Sequence, residues 1–177
     1  MIKKSMEQYF ERFISMWKEF NGTLPRISWF GEDGLRLYVG EKDNEGYIEW
    51  LPTMKNDITN FDAVEELFTM KLHEDIKQYY NAYYFFQIAG WVEGYNINLN
   101  PVLPNVEPET FVERFSNYIT AHDGRTTYVP IGMESNGLIV VLDNMSGEVY
   151  LEDYEVEKFI PLKCSLEEMI QHLSFRN

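Results

Sequence analysis

An aromatic cluster in the middle of the chain constrains its fold more than any other stretch. Six of the eight positions from Tyr79 to Phe86 are aromatic, and they lie in a segment, Asp62–Gly94, whose first part has helical spacing. Rings of this size bury large apolar areas, so we expect the rest of the chain to pack around them. The segment also carries acidic residues that could form a recognition surface: Glu65, Glu66, Glu74 and Asp75.

Apolar residues that recur at three- and four-residue intervals predict the helices. In chain order these are residues 3–20, residues 62–84 with a break near His73, residues 108–123, and a closing helix from Ser165. Asp62 is a plausible N-cap, because Glu65 follows it at the spacing of a capping box. Ser165 is expected to cap the last helix, with Glu167 and Glu168 favourable in its first turn.

Short runs of β-forming residues between turn residues predict antiparallel strand pairs. They are Leu35–Gly40 with Tyr47–Trp50, bracketed by Asp33-Gly34 and Glu45-Gly46; Ile88–Glu93 with Tyr95–Leu99; and Thr127–Met133, Leu138–Asp143 and Glu148–Leu151 as a meander. The polar residues 53–60 are expected to form a loop. Since strands and helices do not alternate regularly, we expect an α+β fold, mainly an antiparallel sheet with helices packed against it. The length of 177 residues fits a single domain over 1–177.

The net charge of −14, from 29 acidic and 15 basic residues, argues against a nucleic-acid partner, because a phosphate backbone would be repelled. A basic partner is favoured instead, although an acidic surface can also serve solubility alone. No Lys or Arg occurs between Arg125 and Lys158. The acidic residues of that stretch are Glu134, Asp143, Glu148, Glu152, Asp153, Glu155 and Glu157.

The cellular compartment is predicted from three features. Cys164 is the one cysteine, so an intrachain disulfide is excluded, and the chain has no signal-peptide pattern. No apolar run approaches the roughly 18 residues of a membrane-spanning helix. We therefore expect a cytoplasmic protein whose association with a membrane is peripheral.

Motifs for catalysis or metal binding are missing from the sequence. The three histidines are far apart, and His73-Glu74 lacks the second histidine of the zinc-binding HExxH pattern. Carboxylate pairs such as Glu65-Glu66 are better explained as a solvated helix face than as an acid–base pair. We therefore expect no metal, no cofactor and no enzymatic activity, with a hydrolase that uses unrecognised carboxylates as the alternative.

Several motifs, in the same order and over nearly the whole chain, resemble the SecY-interacting protein Syd family of the SUKH superfamily. They are Trp17 with Pro25; Tyr47-Ile48-Glu49-Trp50-Leu51-Pro52; Ala63-Val64-Glu65 with Phe68; Ile76 with Tyr79-Tyr80; Phe111, Asn117 and His122; Pro130; Asn144-Met145-Ser146-Gly147-Glu148-Val149; and Ser165-Leu166. Family members often have a proline where Leu72-His73 precedes Glu74, and residues 90–108 match loosely.

The resemblance implies a monomeric α+β protein that binds the basic cytoplasmic loops of the SecY channel through an acidic concave surface. Monitoring of SecYEG integrity is a further hypothesis. The alternative that it implies is a SUKH-type immunity protein that neutralises a toxin by binding it. Among the candidate binding residues, Glu65 and Glu148 lie inside matching motifs. The others rest on charge and sequence position: Glu66, Glu74, Asp75, Glu134 and Asp143.

Overall fold

The computed structural model describes residues 1–31 and 36–175. The helices in these ranges are α1 (Ile2–Asn21), α2 (Asp62–Phe68), α3 (Glu74–Ala82), α4 (Glu109–Ala121) and α5 (Leu166–His172). The strands are β1 (Arg26–Ser28), β2 (Tyr38–Val39), β3 (Tyr47–Trp50), β4 (Thr53–Met54), β5 (Tyr83–Tyr84), β6 (Ile88–Val92), β7 (Tyr95–Leu99), β8 (Tyr128–Glu134), β9 (Ile139–Asp143), β10 (Glu148–Asp153) and β11 (Lys158–Ser165).

The main sheet has six antiparallel strands in the order β11-β10-β9-β8-β7-β6, so each strand pairs with its neighbours in the chain. A second sheet has the order β1-β3-β2, and β4 pairs with β5. The predicted α+β class with an antiparallel sheet is confirmed, as is the meander of the last third of the chain.

The aromatic cluster lies in the core, as predicted. Tyr79, Tyr80 and Phe85 are almost fully buried, and the Tyr79 ring makes edge contacts with the rings of both of the others. Phe10 of α1 packs on Phe85, and Phe111 of α4 packs on Tyr80. The aromatic residues therefore join α1, α3 and α4 into one core.

Helix α1 forms because its apolar residues make one stripe, which packs on α3 and α5. It ends where Gly22 adopts a left-handed conformation with φ of 67°, as its Asn-Gly sequence predicts. The stripe includes Tyr9, whose hydroxyl donates to the Ala89 carbonyl at 2.7 Å and accepts from the Ala89 amide at 2.8 Å. These two bonds fix α1 to β6.

The predicted cap of α2 is wrong, whereas the break near His73 is confirmed. The N-cap of α2 is Phe61, without a side-chain cap, and the Asp62 amide donates to Asn60 Oδ1 at 2.8 Å. An Asx turn therefore replaces the capping box. His73 is the N-cap of α3, and its ring accepts from the Asp75 amide. Ser165 caps α5 as predicted, and Glu168 completes a capping box with it.

Four other differences from the predicted elements concern strands, and the first is β5, which occupies residues 83–84 at the end of the predicted helix 62–84. β11 was missed, because Pro161 argues against a strand unless the strand lies at an edge, which β11 does. β1 was also missed, and the predicted loop 53–60 begins with β4. β2 and β3 pair as the predicted hairpin. Asp33-Gly34 and Leu35 of that prediction lie outside the described residues.

Among residues 1–31 and 36–175, no helix is both long enough and apolar enough to span a lipid bilayer.

Candidate functional site

The meander determines which candidate acidic residues can lie together. Successive turns of an antiparallel meander alternate between the two ends of the sheet, so the β8–β9 turn and the β9–β10 turn lie at opposite ends of β9. Glu134 precedes the first turn, whereas Asp143 and Glu148 flank the second. The structure therefore separates Glu134 from Asp143 and Glu148.

The β9–β10 turn packs against the start of α3. Asn144 donates through Nδ2 to the Lys71 carbonyl and accepts at Oδ1 from the His73 amide, both at 2.7 Å. Gly147 has φ of 76° and lies against the His73 ring, since a Cβ there would be 2.6 Å from the ring Cε1. The turn thereby lies beside the first residues of α3. We call four of the carboxylates in this region the acidic end: Glu74, Asp75, Asp143 and Glu148.

Two carboxylates of the acidic end are exposed. The Glu74 side chain is 67% exposed, and its nearest cation, Lys77, is 4.0 Å away. Glu148 is exposed and accepts from the Tyr150 hydroxyl at 2.9 Å, a bond that raises the pKa of Tyr150. Both carboxylates can therefore meet a partner without a rearrangement of the fold.

The other two carboxylates of the acidic end are half-buried. Asp143 holds the turn by accepting from the Met145 amide at 3.0 Å and the Ser146 hydroxyl at 2.9 Å. Burial raises the pKa of Asp75, against the opposite effect of the nearby His73. Their negative charge adds to the field of the acidic end, although their contact with a partner would be less direct.

Glu65 is buried inside the α2–α3 junction. Its side chain is 4% exposed and forms ion pairs with Lys71 at 2.5 Å and Lys77 at 3.0 Å, and it accepts from the Leu72 amide at 3.0 Å. The bond from Lys71 is the largest effect on the pKa of Glu65, which falls to about 2 even though burial acts to raise it. A carboxylate surrounded in this way stabilises the junction and offers little free charge to a partner.

The remaining candidates, Glu66 and Glu134, lie in different surroundings. Glu66 is exposed on α2. Glu134 is buried, and its carboxylate accepts from the Asn136 amide at 2.7 Å and the Ser135 hydroxyl at 3.0 Å, so it shapes the β8–β9 turn.

Aromatic side chains lie beside the acidic end on the outer face of the sheet. Tyr128 is directly opposite Asp143, and its ring contacts those of Tyr150 and Phe159. Phe159 lies on β11, three strands from β8, or roughly 14 Å away in a flat sheet. Its ring is nevertheless stacked 4.3 Å from that of Tyr128. The sheet must therefore curve toward this face along the diagonal that joins them.

A buried ion pair connects α4 to this outer face. The Glu152 side chain is 2% exposed and accepts from the Tyr118 hydroxyl at 2.6 Å, with His122 Nε2 at 2.5 Å. His122 Nδ1 lies 2.8 Å from the Tyr118 carbonyl, which can only accept. Burial acts to lower the pKa of His122, but these bonds outweigh it and raise that pKa. Both ring nitrogens face acceptor oxygens, an arrangement that favours the imidazolium over the neutral ring.

Sequence reasoning missed Tyr128, Tyr150, Phe159 and the His122–Glu152 pair. The alternation of Tyr150 with buried Val149 and Leu151 could have placed it on an outer face. No local pattern could have paired His122 with Glu152, because 30 residues separate them.

Metal and nucleophile chemistry receives little support from the geometry. Within the described ranges, no three His, Cys, Asp or Glu side chains come together as a metal site. Cys164 is half-buried, and burial raises the pKa of its thiol to about 11, which disfavours the reactive thiolate.

Residues 3–174 match the family model described as Syd protein (SUKH-2). The chain belongs to the Syd family. Proteins named Protein Syd are similar to it at modest identity. The one from Idiomarina loihiensis is 27% identical over 168 residues, which cover 92% of this chain and 90% of that protein.

Two further Syd relatives have comparable similarity. The protein from Hahella chejuensis is 27% identical over 140 residues, which cover 74% of this chain and 69% of that protein. The protein from Aliivibrio salmonicida is 21% identical over 178 residues, which cover 97% and 95%. The Syd assignment thus extends over the acidic end, the α2–α3 junction and the His122–Glu152 pair.

Proposed function

We propose that this Syd-family chain is a non-enzymatic, monomeric, single-domain binding protein of the cytosol. Its partner is the SecY channel, whose basic cytoplasmic loops it recognises. The observation that carries the proposal is the acidic end, where Glu74, Asp75, Asp143 and Glu148 lie in one region of the molecule beside half-buried aromatic rings. Family membership supports SecY as the partner, and the acidic end supports a surface for it.

The charge balance of the acidic end supports a cationic partner. The two lysines of the adjacent α2–α3 junction, Lys71 and Lys77, both pair with buried Glu65, which balances one of their two charges, and Lys77 also lies 4.0 Å from Glu74. The strands that carry Asp143 and Glu148 lie in the stretch without Lys or Arg. Their negative charge therefore remains available to a lysine or an arginine of a partner.

The neighbouring tyrosines add a second means of recognising cations. Tyr128 and Tyr150 are half-buried next to Asp143 and Glu148. An arginine held by a carboxylate can stack on such a ring and gain about 0.5 to 1 kcal/mol at an exposed site. Attraction of opposite charges would mainly speed encounter and set orientation, and salt would weaken it.

Co-sedimentation with lipid vesicles tests the proposal. The protein is mixed with vesicles that contain SecYEG and with protein-free vesicles of the same lipids, at 50 and 500 mM NaCl. We expect sedimentation with SecYEG vesicles at low salt and its loss at high salt. A Glu148→Lys variant should sediment much less. Glu11→Lys, at an exposed position of α1, makes the same change of charge and should behave as the parent.

Equal sedimentation with both kinds of vesicle, or none with either, would contradict the assignment of SecY as the partner. A toxin domain, the other partner implied by the resemblance, would use the same carboxylates. If a purified basic toxin domain bound at low salt and SecYEG did not, the immunity role would replace the SecY role.

A further inference from the structure

The outer face of the sheet holds an apolar pocket next to α4, away from the acidic end. Its volume is about 380 Å³, and α4 forms one wall through Ala121 and His122. The floor and opposite wall come from Pro130, Met133 and Ile139 of β8 and β9, with Tyr154 from the β10–β11 turn. The Met133 side chain, at 56% exposed, remains open to solvent beside the pocket.

Acidic residues lie beside this pocket, although they do not line it. The Asp123 carboxylate acts on His122, and Asp153 and Glu155 flank Tyr154, with Asp153 opposite Lys158 in the pairing of β10 with β11. Apart from His122, Arg114 is the one basic residue that lines the pocket within the described part of the chain. Its Nη1 is 3.8 Å from Oε1 of Glu107, whose side chain is 2% exposed, so the two charges attract, although this nitrogen has no hydrogen-bond partner among the described residues. His122 is likewise paired with Glu152. An apolar pocket with carboxylates beside it is complementary to an apolar side chain that has basic neighbours.

We propose that this pocket binds a large apolar side chain of the same basic partner segment that contacts the acidic end. The inference rests on the proposed function and deepens it, because it adds an anchor residue to a contact otherwise made by charge. Charged contacts fix orientation, while a desolvated apolar side chain in a pocket supplies most of the affinity of many interfaces.

The sheet sets the spacing that such a segment needs. Ile139 lines the pocket and Asp143 belongs to the acidic end, and both lie on β9. Four residues of a strand span roughly 13 Å. A partner in an extended conformation would therefore have its apolar anchor about four residues from the lysine or arginine that pairs with Asp143 or Glu148.

A variant that fills the pocket tests the inference. Ala121 is an exposed residue at the end of α4, so Ala121→Phe adds a ring to the pocket without removing a core contact. Ala63→Phe is the matched control, because Ala63 is an exposed alanine of α2 that lines a separate apolar pocket between α2 and the start of α4. Urea unfolding of both variants checks that the fold is intact.

The probes are fluorescein-labelled peptides that span the cytoplasmic loops of SecY, measured by fluorescence anisotropy at 50 mM NaCl. For a peptide that binds, we expect Ala121→Phe to weaken binding tenfold or more and Ala63→Phe to leave it unchanged. A second peptide has every Leu, Ile, Phe and Met replaced by Ala and keeps every Lys and Arg. It should bind weakly to the parent and show no difference between parent and Ala121→Phe.

Two methionine methyl groups report the two parts of the surface independently. Met133 lies at the pocket, whereas Met145, at 79% exposed, lies in the β9–β10 turn of the acidic end. With 13C-methyl-methionine labelling, the binding peptide should shift both NMR signals, and the apolar-to-Ala peptide should shift only that of Met145. Met→Leu variants assign the signals.

The outcomes separate the pocket from the proposed function. Salt-sensitive peptide binding that is unaffected by Ala121→Phe, with a shift at Met145 alone, would overturn the pocket assignment and leave the acidic end as the site. Loss of binding in Ala63→Phe but not in Ala121→Phe would likewise overturn it. Failure of every loop peptide to bind at low salt would contradict the proposed function itself.

Discussion

Glu65 stabilises the junction of α2 and α3 at the scale of single residues. Its carboxylate joins Lys71, Lys77 and the Leu72 amide. We predict that Glu65→Gln lowers the free energy of unfolding by about 1 to 2 kcal/mol at pH 7, since hydrogen bonds between charged groups are lost. Glu66→Gln, at the exposed neighbouring position, should change it by less than about 0.5 kcal/mol.

The effect of Glu65 should depend on pH in a defined direction. Its pKa is lowered in the folded state, from an ordinary value of 4.5 to about 2. The stabilisation is therefore present above pH 4.5 and is lost as the pH falls toward 2. Urea unfolding at pH 7 and pH 3.5 measures this, and the difference between parent and Glu65→Gln should be smaller at pH 3.5. A difference that grows at pH 3.5 would contradict this role.

The His122–Glu152 pair connects whole elements, because it holds the end of α4 to β10. The pKa of His122 is raised in the folded state. The stabilisation that charged His122 contributes is therefore complete below its unfolded-state pKa, near 6.5, and is lost as the pH rises through its folded-state pKa. We predict that His122→Gln destabilises the protein by about 1 to 2 kcal/mol at pH 5.5 and by less at pH 9. Thermal or urea unfolding at the two pH values measures the difference.

His172→Gln is the control for that prediction. His172 is exposed at the end of α5, so this variant should show at most a small pH-dependent change. The charged groups near His122 are Glu152 and Asp123, and both favour the imidazolium. An equal destabilisation by His122→Gln at pH 5.5 and pH 9 would contradict the charged state of His122.

Local patterns predicted the elements that depend on local interactions. Examples are the apolar stripe of α1, the N-cap at Ser165 and the turns of the meander. In each of them, the residues that determine the structure are close together in the chain. β11 was missed because Pro161 is tolerated only at an edge, and the position of a strand in a sheet is a property of the tertiary fold. The side chain that supports the start of α2 is that of Asn60, which accepts from the Asp62 amide. The capping-box spacing from Asp62 to Glu65 therefore pointed to the wrong residue.

The candidate site was less predictable than the elements, because burial decides what a carboxylate can do. The sequence places Glu65 in a motif and Glu134 in an acidic stretch, but lysines and amides surround them only after folding. Glu74 and Glu148 are far apart in the chain. They are brought to one region because Asn144 binds the residues that precede α3. Such long-range contacts have no local sequence signal.

At the scale of the whole molecule, the net charge of −14 gives the protein a negative field, and the fold concentrates part of it at the acidic end. The net negative charge alone would attract any basic protein. Binding through a specific surface should instead depend on particular carboxylates. Two variants with the same change of net charge separate these explanations. The first neutralises Glu74, Asp143 and Glu148, and the second neutralises Glu11, Glu19 and Glu45, which are exposed elsewhere.

The most direct test is the dissociation constant for SecYEG in lipid nanodiscs, measured by biolayer interferometry at 50 and 300 mM NaCl. The triple variant Glu74→Gln, Asp143→Asn, Glu148→Gln should bind about tenfold more weakly than the parent at 50 mM and lose affinity less steeply with salt. The variant Glu11→Gln, Glu19→Gln, Glu45→Gln should match the parent. Equal weakening of the two variants, or no weakening of either, would contradict recognition through the acidic end.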